Sequence, residues 1–337
     1  MRIIDKEVTG QDMAVLSNEY FLRMNRKTAK GRYNRKYPAG QLEKAAEKAV
    51  GGRFKNVLEY MASNVQNLFI LPPSGLMAFH LQMVAKHGNA EELKGVEFRE
   101  LIDPVFGYYT TFRNGERNLI VEWFDGLKVN VCPYCNRNYL DKILEQDGNN
   151  KFLLDIDHFF PISEYPYFAL SYFNLIPSCT NCNQRIKGPK PMSLAFHMHP
   201  YCDDIDSAIY FDMPVVSIDQ FYNESPDVVL GIENHTGVDA TIIKRARESY
   251  EFFELKAIYA NHKEDVRRLR QLKLDYNKSQ LEQMLGSHDG KLYSSKEDLV
   301  YRVVGNSIHA KDTHKKPLSK LSKDLLRKSD IAKFLAT

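Results

Sequence analysis

Apolar positions recur at helical spacing through much of the first third of the chain. Gln41 to Val50, rich in Ala, Glu and Lys, predicts a helix, and the apolar positions from Phe54 to Phe69 predict another. Pro72-Pro73-Ser74-Gly75 breaks the pattern, and a further helix is expected from there to about Lys86. Asp103 to Trp123 is aromatic, with Phe106, Tyr108, Tyr109, Phe112 and Trp123, and is expected to pack the first region onto the middle of the chain. From about Gly126 to Asp206 helical periodicity disappears, and cysteines, prolines and aromatics concentrate into a small, distinct module. Ile242 to Leu285 is charged and periodic again, predicting one or two surface helices with Phe252, Phe253, Leu255, Ile258 and Tyr259 turned inward. A basic face comes next at Arg267, Arg268, Arg270 and Lys273, and the end of the chain reads as helical and basic. The expected organisation is a mostly helical region over 1–125, an inserted module over 126–205 and a mostly helical basic region over 206–337. The fold class is α+β.

Composition changes this picture little. Hydrophobic content of 43% and charged content of 26% are ordinary for a folded protein. The opening residues lack an apolar leader, and the most apolar stretch, Asn67 to Val84, is interrupted by Pro72-Pro73 and carries His80 and Gln82. It reads as core, so the expected location is the cytoplasm.

Charge is more informative. The net charge is only +3, yet Phe21 to Tyr37 holds seven cations (Arg23, Arg26, Lys27, Lys30, Arg32, Arg35 and Lys36) and no acid. Asn306 to Thr337 holds eight Lys or Arg against three Asp. Cations gathered at two places suit a polyanionic partner. Each run taken alone would equally be a solvated face.

Four of the five cysteines form two pairs, Cys132-Pro-Tyr-Cys135 and Cys179-Thr-Asn-Cys182. Each pair puts two thiolates on one tight turn, and two such turns complete the tetrahedral four-thiolate geometry of structural Zn2+. The 43 residues between the pairs exceed the span of a compact zinc finger, so the ion should hold the base of an inserted unit. A redox pair is the rival reading for either Cys-x-x-Cys alone. Cys202 comes after His197 and His199 and is expected to be a buried free thiol.

Between the pairs runs Lys151-Phe-Leu-Leu-Asp-Ile-Asp-His-Phe-Phe-Pro161. Strand alternation puts Asp155 and Asp157 on one face and Leu154 and Ile156 on the other, with Pro161 ending the strand. A carboxylate beside an imidazole at a strand end suits a metal ligand and a base: Asp157 offers oxygen to a hard cation, and His158 can take a proton near neutral pH. Asp155 is expected to be a solvated strand residue.

The order Cys-x-x-Cys, Asp-His-x-x-Pro161, then Asn174-Leu-Ile-Pro-Ser-Cys179-Thr-Asn-Cys182-Asn183-x-x-x-Lys187 resembles the HNH endonucleases, a branch of the His-Me finger or ββα-metal nucleases with a four-cysteine zinc core. The resemblance covers roughly Val131 to Gly188. It implies a ββα module with strands near Phe152–Phe159 and Asn174–Pro177 and a helix from about Thr180. It also implies that Asp157 binds a catalytic Mg2+ or Mn2+, that His158 is the general base, that Asn174 holds the loop behind it and that Asn183 completes the metal site. Lys187 and Arg185 would neutralise phosphate. Arg26, Lys27, Arg32, Arg35 and the lysines after His309 would contact the backbone of a nucleic acid, with DNA the expected substrate. A plain surface role is the alternative for each of these cations.

Further details, including Cys-Pro-Tyr-Cys-Asn-Arg-Asn-Tyr139, Tyr165-Pro166, Ala169-Leu170-Ser171 and His199-Pro-Tyr201, are similar to HNH proteins of bacterial anti-phage defence loci, such as the Septu-type and retron-associated subunits. That similarity implies an ATPase partner. The alternative is a nucleic-acid-binding or scaffold subunit that docks such an ATPase and is catalytically silent alone.

Overall fold

The computed structural model describes residues 3–49, 51–113, 119–143, 151–214, 217–221, 230–287 and 292–336. Among the described residues it is mostly helical with three small two-stranded antiparallel sheets, an α+β arrangement. Among the described residues no helix is long and apolar enough to cross a membrane. The chain divides into two compact units.

One unit comprises Ile4–Val129 and Asp141–Ala195. The expected helix at 41–50 runs over Pro38–Lys48, because Pro38 sits at the first helical position where its missing N–H costs nothing. Val50 lies outside the described residues. The single helix expected over 54–69 is instead two, Lys55–Ser63 and Val65–Ile70. Asn64 separates them, its side chain donating back to the Tyr60 carbonyl at 2.9 Å and competing with the helical ladder. The break at Pro72 is present, but Gly75 lies inside the next helix, Pro73–His87. Helices Val96–Phe106, Tyr108–Arg113 and Leu119–Leu127 carry the aromatic segment, and Phe106, Phe112 and Trp123 are buried.

The strands of this unit are β1 (Lys142–Ile143), β2 (Lys151–Phe152), β3 (Asp155–His158) and β4 (Leu175–Ser178). β1 pairs with β2 and β3 with β4. The strand expected over 152–159 is therefore shorter, and Phe152 belongs to a different pair. β3 stops at His158, before Pro161, because the side chain of Asn174 captures the N–H of Phe160 at 2.7 Å. A seven-residue π-helix, Asn181–Lys187, comes after β4 and ends at Gly188, whose φ of 51° is left-handed.

The other unit comprises Met1–Ile3, Asn130–Leu140 and Phe196–Thr337. β5 (Ile209–Asp212) and β6 (Gly231–Asn234) form its sheet. The one or two helices expected over 242–285 are four: Ala240–Phe252, Leu255–Tyr259, Lys263–Asp275 and Lys278–Gly286. Glu254 takes a left-handed φ of 51° and ends the first, and a capping box at Asn277 and Gln280 starts the last. The expected basic face is not wholly solvated. Arg270 is buried, and Arg268 donates to the Val304 carbonyl at 2.7 Å.

Candidate metal centre and the Asp157–His158 site

The first cysteine pair sits on a turn closed by its own backbone. The Asn136 N–H reaches the Cys132 carbonyl at 2.8 Å and the Cys132 N–H reaches the Asn138 carbonyl at 2.9 Å, with Asn136 at a left-handed φ of 51°. The buried Asn136 side chain donates to the Thr313 carbonyl at 2.6 Å and accepts from the Lys320 N–H at 2.9 Å. Tyr134, between the cysteines, stacks on Phe253, and Tyr259 Oη donates to the Cys135 carbonyl at 2.7 Å. The second pair begins where β4 ends, with the Asn183 N–H on the Cys179 carbonyl at 3.0 Å.

The four sulfurs of Cys132, Cys135, Cys179 and Cys182 are buried and lie within 4.8 Å of one another. Zinc–thiolate bonds of about 2.3 Å in a tetrahedron put the sulfurs roughly 3.8 Å apart, which this cluster accommodates. The donor set fits a structural Zn2+.

Asp157 and His158 close β3, opposite Ile176 and Leu175. Asp157 is only 2% exposed, and its Oδ1 accepts from Lys187 Nζ. The half-buried His158 ring directs Nε2 to the Ala169 carbonyl at 3.0 Å, and the Tyr109 ring packs edge-on with its centroid 4.8 Å away. A carbonyl can only accept, so Nε2 carries the proton and the neutral ring has its lone pair on Nδ1. Burial pushes the His158 pKa below the usual imidazole range, and the Ala169 hydrogen bond offsets part of that shift.

Asn174 is fully buried. Its Oδ1 takes the Phe160 N–H, and its Nδ2 donates to the carbonyls of Phe160 at 3.1 Å and Phe168 at 3.0 Å. Its backbone carbonyl accepts from Phe159 at 3.1 Å. One side chain thus ties both ends of the connection between β3 and β4. Ser171 Oγ on the Leu68 carbonyl and Tyr20 Oη on the Leu170 carbonyl anchor that connection to the helices of the same unit. Asn174→Ala would remove three hydrogen bonds to buried backbone, of which the Phe168 carbonyl keeps the Ser171 N–H at 3.1 Å, so the cost falls on the two Phe160 groups at roughly 1–3 kcal/mol each, only partly recovered by relaxation. We expect a loss of about 3 kcal/mol, read as a lower urea midpoint at unchanged slope; an unshifted midpoint would contradict this role.

The structure revises several expectations around the pair. Asp155 is not a solvated strand residue: its Oδ2 accepts from Asn183 Nδ2 at 3.2 Å and Gln184 Nε2 at 2.9 Å. Asn183 therefore turns its amide nitrogen to Asp155, which leaves its carbonyl oxygen to face elsewhere. Lys187 is not a surface cation awaiting phosphate. It is 3% exposed and also donates to the His158 carbonyl at 2.7 Å. Arg185, on the outer side of the same helix, is exposed. Cys202 is exposed rather than buried, with its thiol pushed up to about 11 chiefly by partial desolvation. His199 is buried; its Nδ1 accepts from the Tyr201 N–H at 3.2 Å.

The basic run folds into a hairpin loop, Lys27 pairing with Tyr33 and the Gly31 N–H closing on the Thr28 carbonyl at 2.9 Å. Asn25 clasps its base, accepting from the Ala39 N–H at 2.7 Å. Arg26, Lys27 and Arg32 are exposed on it, while Arg35 pairs with Glu47 at 2.6 Å. The lysines after His309 are mostly neutralised in place. Lys320 is buried against Asp206 and Asp324, Lys323 pairs with Asp324, Lys315 with Asp312 and Lys333 with Asp330. Most of these carboxylates interleave with the lysines at helical spacing, which a count of net charge conceals.

A stretch of 82 residues is 38% identical to part of "Protein ea31" of Escherichia phage lambda. The match covers 24% of this chain and 23% of that protein, so the chain spans under a quarter of the relative's length. No protein family matches the chain, and no solved structure does. Sequence reasoning gave no role at the site to Ala169, Tyr109 or Gln184, the first acting through its backbone carbonyl and the others through placement by distant segments.

Proposed function

We propose that the chain is an HNH-type endonuclease that hydrolyses phosphodiester bonds of nucleic acid, DNA foremost. The observation that carries this reading is the presentation of His158. Its Nε2 is tied to Ala169, its Nδ1 is left with the lone pair, and a buried carboxylate stands next to it in sequence. A neutral imidazole held in one tautomer is what a general base for water requires.

The oxygen donors here, the carboxylates of Asp157 and Asp155 and the amide oxygen of Asn183, suit a hard divalent ion such as Mg2+ or Mn2+. Asp157 and Asn183 would hold it. When bound, such an ion supplies positive charge to the phosphate and to the departing oxygen. His158 takes the proton from water at Nδ1, and Asn174 keeps the loop behind His158 from yielding. Tyr109 limits the ring's rotation. The four-cysteine zinc centre fixes the turn from which the Asn181–Lys187 helix starts. The proposed setting, an anti-phage defence locus with an ATPase partner, rests on the motif resemblance alone.

The test is incubation of the zinc-loaded chain with plasmid, single-stranded DNA and RNA, with Mg2+, Mn2+ or a chelator. Nicking that needs the divalent ion is expected. Absence of cleavage with every substrate, including after addition of the products of neighbouring genes, would favour the silent scaffold.

The hairpin bearing Arg26, Lys27 and Arg32 would contact backbone phosphate without reading sequence. Replacing all three by alanine should leave thermal stability unchanged, since all are exposed. The slope of log affinity against log salt should fall by about 2.7, at roughly 0.9 per phosphate contact. Fluorescence anisotropy across a salt series measures it; an unchanged slope removes the hairpin from the interface.

A further inference from the structure

Lys187 lies on the very carboxylate that the proposed function gives to a divalent ion. Its ammonium is committed twice, to Asp157 Oδ1 and to the His158 carbonyl at 2.7 Å, and both charged side chains are almost wholly withdrawn from water. Lysine is rarely buried to this degree, and a buried pair is costly to break one-sidedly because the remaining charge is left uncompensated. The stem reaching Asp157 starts from the last residue of the π-helix, one position before the left-handed Gly188. We propose that Lys187 competes with the divalent ion for Asp157, and so sets the ion concentration at which the site can work.

This inference rests on the nuclease reading of Asp157. Its physical basis is that an ammonium and a divalent ion cannot both sit tightly against one carboxylate: each satisfies the same negative charge, and they repel one another. Removing the ammonium takes away the cation that contends for Asp157. Keeping the charge on a different head group preserves the competition. The long, unbranched side chain lets the ammonium leave without moving the strand.

Mn2+ binding to the zinc-loaded full chain, followed by electron paramagnetic resonance, tests this without any reference to cleavage. Lys187→Met should bind Mn2+ about ten-fold more tightly than wild type, and Lys187→Arg should stay near wild type. Adding Asp157→Asn to Lys187→Met should abolish the gain. Equal or weaker Mn2+ binding by Lys187→Met would overturn the proposal and make Lys187 a structural clasp. A second measurement needs no substitution. Saturating Mg2+ should raise the labelling of Lys187 by an amine-reactive reagent several-fold, read on its peptide by mass spectrometry, and labelling indifferent to Mg2+ would overturn the proposal equally. Divalent-dependent cleavage with unchanged Mn2+ affinity would sink this inference alone. The Mn2+ gain without any cleavage would sink the nuclease reading alone.

Discussion

His158→Ala should lower divalent-dependent cleavage about a thousand-fold, the scale of a general base's contribution. The fold should survive, because the half-buried ring gives up only its hydrogen bond to Ala169 and its edge contact with Tyr109. Gel quantification of plasmid nicking, with circular dichroism as the control for folding, measures both. Equal cutting by wild type and variant would remove His158 from the chemistry. The pH dependence has a definite sign. A base works in its deprotonated form, and burial holds the His158 pKa below the usual imidazole range. Activity should therefore persist at pH values where an exposed imidazole, with its pKa of about 6.5, would already be protonated. The linked effect on stability runs the same way. The depressed pKa contributes stability above the unfolded value, and that contribution is lost as the pH falls below it, because the unfolded chain binds the proton first. A cleavage profile with its acid limb well above pH 7 would contradict the assigned environment.

Cys132→Ser should cost more than any other single change. Metal-binding free energies of structural zinc are on the order of 10–16 kcal/mol in small peptides, and that energy is folding energy where the apo site cannot form. A serine hydroxyl is not deprotonated near neutral pH and is a poor ligand for zinc, so three buried thiolates would share an incomplete coordination sphere. Atomic absorption should find about one zinc per wild-type chain, one ion per four-thiolate site, and none in the variant. The variant should lose its cooperative thermal transition. A folded, zinc-free protein would refute the four-cysteine centre. The consequences should reach beyond the turn itself: Asn136, four residues on, anchors through Thr313 and Lys320, and Tyr259 anchors on the Cys135 carbonyl.

Much of the local structure was legible. Helical periodicity located the helices of the first third and of 240–286, because an apolar stripe has to recur wherever one face is buried. What it could not supply was where they break. Asn64, Glu254 and Asn277 decide that through side-chain capture of backbone groups and one left-handed residue, effects too local to disturb a hydrophobic pattern. The strand at Asp155–His158 was visible in its alternation, but its end was not, since the group that stops it, Asn174, comes from a later turn.

Charge was the least legible property. Lys187 and Lys320 read as surface cations and are buried, while Arg26, Lys27 and Arg32 in an equally basic run stay exposed. A sequence reports how many charges a segment carries. Whether each meets a carboxylate is settled in some cases by distant partners, Lys187 and Asp157 being 30 positions apart and Lys320 and Asp206 114.

By itself, the sequence determined that four cysteines in two Cys-x-x-Cys turns can meet, that one strand carries both Asp157 and His158, and that the chain is mostly helical. Those properties come from residue identity and short-range periodicity. The tertiary structure alone decided which nitrogen of His158 keeps its lone pair, that Asp155 holds Asn183, and that Lys187 rather than solvent faces Asp157. Each of these depends on a backbone carbonyl or a side chain brought in from another segment, and only packing determines which partner arrives.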